Sequence, residues 1–228
     1  MAANRIHIVV TTLVLVAITC GYLAMASYWP TLYIWSTYED LYGEWAQTYL
    51  FLIALVFSLR IASLRSVYRW FFILLALACF YVVMEEISWG QRIFGFESPD
   101  LFKRHNLQRE TNLHNFLVGP YSTLTKDVIE YVLAAMLVLY GLVYPLLLRS
   151  GVQFVQCFDR RAGLAAPPLY LWPYFVIAAW LETAPMHFNE AEVAEILVGS
   201  ALVFMTLHYI IAVGNGLGVH EPSAWSRR

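Results

Sequence analysis

Charge is what this sequence has least of. Only 13% of its 228 residues are Asp, Glu, Lys or Arg, while 60% are hydrophobic; a soluble domain would be about a quarter charged and half apolar. The formal net charge is −2, so there is no basic stripe and no case for nucleic-acid binding. The three cysteines, Cys20, Cys79 and Cys157, fall in or beside different apolar segments, which leaves no disulfide framework. CxxC, HExxH, GxSxG and the phosphate-loop pattern are all missing. Gly214-Asn215-Gly216-Leu217-Gly218 follows an apolar helix and opens none, which makes it an exit to the tail and not a nucleotide cradle.

What is present is one apolar run after another, with a mean hydropathy of +0.60. A membrane-spanning helix needs about 20 mostly apolar residues. Six stretches meet or approach that: 6–27, 46–64, 70–89, 128–148, 168–186 and 190–213. The fold expected is an all-α polytopic membrane bundle, one domain over 1–228, with a long polar loop at 90–126. Ala24-Met25-Ala26 behind Arg5 resembles a signal-peptidase site, but the apolar run exceeds a usual signal core of about 7–15 residues, which favours a retained helix. Residues 28–46 carry seven Trp and Tyr and no Lys or Arg, the composition of an interfacial aromatic belt with room for a short in-plane helix. Ser98-Pro99-Asp100 predicts a short helix over 99–105, and Asn189 with Glu192 predicts a capped start for the last segment.

Lys and Arg in short loops orient such a chain. With the N-terminus inside, nine of the fourteen basic residues lie inside (Arg5, Arg60, Arg65, Arg69, Arg149, Arg160, Arg161, Arg227 and Arg228). The other five all fall in the 90–126 loop. Both termini are therefore expected in the cytoplasm. The acids are more lopsided: of sixteen, only Asp159 and Glu221 lie inside. Acids contribute little to orientation, so their skew needs another cause.

Depth along each helix, at about 1.5 Å per residue, brings Glu85 and Glu86, Glu130, Glu182 and Glu195 to one level just beneath the outer surface. Ionisable groups in a membrane are costly and mark functional sites. Glu85, Ser88, Trp89 and Arg92 recur at helical spacing, so Arg92 can stack above Glu85 if the helix continues. Glu110 and His114 are one turn apart, able to share a metal or fix an imidazole tautomer. His187 is a second imidazole near that level. The candidate catalytic residues are Glu85, Glu86, Arg92, His114 and Glu182, with Gln91, Asn112 and Asn115 for substrate. A divalent metal, were one bound, would take Glu86, Glu110, His114 and His187.

The run from Glu85 to Pro99 (EEISWGQRIFGFESP), followed by Asn106 to Asn115 (NLQRETNLHN), resembles a signature of uncharacterised bacterial multi-pass membrane proteins. The resemblance implies a bacterial inner-membrane location and points to the same stretch as the site; it implies no reaction. Three functions fit the residues. One is an outer-leaflet hydrolase or transferase acting on a lipid or lipid-linked substrate, since clustered acids with His suit proton transfer or metal-activated water. A non-catalytic subunit that docks a protein partner through the 90–126 loop is the alternative. A transporter fits less well, because the polar groups thin out away from one end.

Overall fold

The computed structural model describes residues 2–38, 41–64, 68–106, 108–113, 122–183, 186–187 and 189–214, with side chains undescribed at 2–4, 122–127 and 214. The protein is an all-α bundle. The helices are α1 (Ala2–Tyr28), α2 (Pro30–Thr37), α3 (Tyr42–Ser63), α4 (Arg69–Glu86), α5 (Gln91–Phe94), α6 (Asp100–His105), α7 (Ser122–Val138), α8 (Tyr144–Arg149), α9 (Gln153–Ala162), α10 (Trp172–Thr183) and α11 (Glu190–Gly214).

Among the described residues, four stretches are long and apolar enough to cross a membrane: Arg5–Tyr28, Tyr42–Ser63, Val128–Arg149 and Glu190–Val213. A fifth qualifies if α4 is taken together with Ser88–Phe94, across a 61° bend. The stretch expected over 168–186 is shorter. Its helix α10 has 12 residues, about 18 Å at 1.5 Å each against a hydrocarbon core of about 30 Å.

Side by side, the packing order is α4, α3, α11, α10, α7, with α1 against α2 and α11. Phe72, Tyr174, Phe175, Leu197 and Met205 lie at the centre, almost wholly buried. Leu13, Trp70, Leu74, Leu77 and Leu139 point outward. An apolar rim of that kind is costly in water and at home in lipid. The belt region forms α2, with Ile34 and Trp35 exposed on it and Trp29 exposed at its start.

Two local features position the helices. Pro145 has no N–H and its ring crowds the preceding turn, and the chain answers with a π-turn at Leu139–Val143 between α7 and α8. There Gly141 lets Phe175 of α10 approach so closely that a Cβ would lie 2.2 Å from its ring. Gly43 does the same for α2 and α3: a Cβ there would sit 2.1 Å from the Ser36 carbonyl oxygen.

The end of the bundle away from Glu86 is held by tyrosines. Tyr144, Tyr140 and Tyr209 donate to the successive carbonyls of Leu164, Ala165 and Ala166 at 2.9, 2.8 and 2.9 Å. That segment has no helix of its own, and carbonyls carried into an apolar bundle need donors from elsewhere. Tyr144 also bonds the buried Asp159 of α9 at 2.7 Å.

Candidate functional site

Helix α4 does not continue through the signature. Ser88, Trp89 and Gly90 have φ of 48°, 53° and 92°, three successive left-handed residues of which only the last is a glycine. Each non-glycine there costs on the order of 1–3 kcal/mol unless its surroundings hold it. Here they do. The Ser88 hydroxyl, fully buried, donates to Glu110 and receives Asn112 Nδ2 at 3.4 Å. The Trp89 indole donates to Glu85 at 2.7 Å. The turn swings Arg92 away from the axis of α4, where its guanidinium bonds Glu110 at 3.0 Å and also Glu44 at the start of α3. The partners are thus Glu44 and Glu110, and the stacking on Glu85 expected from a continuous helix does not apply.

Above this turn the loop is knitted to itself. Gln91 Oε1 accepts from Ser98 at 3.0 Å and from the Thr111 amide at 2.8 Å. Buried Asn106 donates to the carbonyl and side chain of Asn112 at 2.8 and 2.6 Å, and accepts from the Gln108 and Glu110 amides. Such Asn side chains stand in for the backbone partners an irregular loop lacks. Glu85, 4% exposed, closes the unit by accepting the Leu113 amide at 2.6 Å. The short helix begins at Asp100, one residue later than expected, because the Ser98 hydroxyl is committed to Gln91 and does not cap it.

Beneath the loop lies a second polar layer. Gln47 of α3 is 1% exposed, and its Nε2 donates to Glu86 of α4 at 3.1 Å and to Glu195 of α11. Its Oε1 is buried with no hydrogen-bond partner. The Glu86 carboxyl feels those of Glu195, Glu44 and Glu192, and the Glu195 carboxyl feels those of Glu192, Glu182 and Glu44. Glu86 and Glu195 are themselves half-buried and not sealed. Carboxyls gathered this closely in a poorly solvated place must share protons or recruit cations.

The candidates named from sequence thus separate. Glu86 and Glu182 belong to the lower layer. Glu85, Gln91, Arg92, Glu110 and Asn112 belong to the loop. Asn112 is 0% exposed and bonds within the loop, whereas Gln91 is half-buried, its Oε1 bonded within the loop, and its side chain lines an open pocket with Phe96, Glu97, Ser98, Lys103 and Arg109. His187 sits apart on the α10–α11 connection, bonding Glu190 at 2.8 Å. Asn189 beside it does not cap α11 as expected; it takes a φ of 61° and donates to Thr37 O at 2.5 Å, fixing α11 to α2. His114 and Asn115 lie outside the described residues. Among the described residues no three His, Cys, Asp or Glu side chains are arranged to hold a metal ion.

Gln47 is not among the candidates named from sequence, and Glu44 falls within the 28–46 aromatic belt. The signal was there: Glu44, Gln47, Thr48 and Phe51 fall at i, i+3, i+4 and i+7, one buried stripe of a helix. No protein-family model, curated protein or solved structure matches the chain.

Proposed function

We propose that the chain is a multi-pass protein of the bacterial cytoplasmic membrane, both termini cytoplasmic, whose lower carboxyl layer is the working site of a hydrolase or transferase acting on a lipid or lipid-linked substrate. The observation that carries this reading is the meeting of Glu86 and Glu195, from helices distant in sequence, at the single buried amide of Gln47. Two carboxyls in one polar niche can divide the labour of proton transfer. One takes a proton from the attacking water or hydroxyl while the other returns one to the leaving oxygen. Arg92 is a positioning residue in this scheme, holding the loop over α3. An apolar rim lets a lipid approach sideways.

The test is lipid turnover by the full chain in nanodiscs of mixed lipid, read by mass spectrometry of released headgroups and acyl chains. Removing a general acid or base costs about 10²–10⁴-fold, so Glu86→Gln should lose turnover by that factor while retaining its fold. Unchanged turnover in a folded Glu86→Gln variant ends the proposal. The docking alternative is favoured by the outward Ile93, Phe94 and Leu101, which are 58%, 80% and 60% exposed on the loop. It predicts that Phe94→Ser and Leu101→Ser fail to complement cells lacking the native copy, while Glu86→Gln complements normally.

A further inference from the structure

We propose that the lower layer recognises a primary ammonium group, seated on Gln47 Oε1 and the carboxylates of Glu86 and Glu195. This rests on reading that layer as the working site and names the class of ligand it takes. The Gln47 amide is almost wholly buried, with Nε2 committed to the two carboxylates and Oε1 facing no donor. A buried acceptor left unmade is expensive, and such groups call for an explanation. The carboxyls of Glu44, Glu182 and Glu192 add to the negative field at Glu86 and Glu195.

A primary ammonium supplies what is missing: one positive charge and three N–H donors for one amide oxygen and two carboxylates. It needs acceptors at about 2.9 Å, a looser arrangement than the ligand shell of about 2.0–2.6 Å that a divalent ion demands. A quaternary ammonium has no N–H to give Oε1 and is recognised by aromatic faces instead. An aminophospholipid headgroup and a free amine both carry this group, and the chemistry is shared.

The test uses a ligand series, so it does not depend on a variant folding. The full chain is placed in nanodiscs containing equal parts of phosphatidylethanolamine, its N-methyl and N,N-dimethyl forms, phosphatidylcholine and phosphatidylglycerol. Lipid retained through detergent extraction is counted by native mass spectrometry. Retention should fall with each methyl and by on the order of tenfold between the primary and quaternary ends, and a folded Gln47→Leu variant should flatten the series. Equal retention of phosphatidylethanolamine and phosphatidylcholine by the wild-type chain overturns the proposal, as does a preference that persists in folded Gln47→Leu. Should that variant not fold, the wild-type series decides. Millimolar ethanolamine that competes with retention identifies a site for the free amine, and lack of competition identifies the headgroup. Selective retention without turnover upholds the ammonium site and sinks the enzymatic reading, whereas turnover without selectivity does the reverse.

Discussion

Replacing Arg92 with Met keeps much of the side-chain volume and removes a cation that bonds both Glu44 and Glu110. The side chains involved are 14%, 9% and 21% exposed respectively, so little water is at hand to take over. Breaking a buried pair by deleting one partner costs about 3–5 kcal/mol, because the other charge is left uncompensated. Glu110 can partly rehydrate and keeps Ser88 and Asn112, which puts the expected loss at the low end, about 3 kcal/mol. Against a total stability of about 5–15 kcal/mol, that is readily measured by unfolding in mixed micelles. The double variant Arg92→Met/Glu44→Gln removes the stranded acid and should recover at least about 1 kcal/mol of the loss, the signature of contacting residues. Hydrogen exchange should show the amides of residues 108–113 opening in the single variant. A loss within about 0.5 kcal/mol, the range of ordinary surface changes, would refute the reasoning, and so would strict additivity in the double variant.

Lys103→Ala should leave stability unchanged in the same assay, since its Glu97 partner is 88% exposed and such pairs contribute little. Gly43→Ala should lower stability by about 1–3 kcal/mol, because the new Cβ meets a backbone carbonyl that cannot rotate aside; a neutral result would show that α2 and α3 can part without cost. Burial raises the Asp159 carboxyl above its ordinary value, with the Tyr144 hydroxyl and Arg160 pulling it back. The unfolded chain therefore releases that proton first, so the stability this group supplies is present below about pH 4 and is lost as pH rises through its folded value. Asp159→Asn should flatten that decline in a pH series of unfolding midpoints, and an identical slope in the variant would count against the assignment.

Four of the six expected spans, a fifth if the bent α4 is counted, and the polar end were legible for one reason: each depends on composition along a single helix. Charge is so scarce that counting residues from a helix end places Glu86, Glu182 and Glu195 at one level without knowing their neighbours. Which helices touch is another matter. A helix that is apolar on all sides has little periodicity to orient it, so the order α4, α3, α11, α10, α7 left no mark in the sequence, and Gln47 could not be seen as the residue between Glu86 and Glu195. The bend after Glu86 was hidden too. Gly90 alone hints at a left-handed residue, while Ser88 and Trp89 adopt that conformation only because Glu110, Asn112 and Glu85 hold them there, through bonds made by residues up to 24 positions away.

The two polar layers differ in a way that bears on why each exists. In the loop, the groups have been paired: Glu85 takes two N–H donors, Gln91 Oε1 takes the Ser98 hydroxyl and the Thr111 amide, Asn106 donates to Asn112, and Arg92 bonds two acids. A network closed to that degree rigidifies and specifies a fold, and its reward is structural. The lower layer is not closed. It crowds like-charged groups around one amide and leaves that amide's oxygen without a donor. Apolar side chains of similar volume at Gln47, Glu86 and Glu195 would pack the same three helices at lower cost. Stability therefore accounts for the loop and fails to account for the layer beneath it. A loop assembled for its own rigidity, clamped by Arg92 over a layer costlier than apolar packing, fits the proposal that these acids serve a ligand.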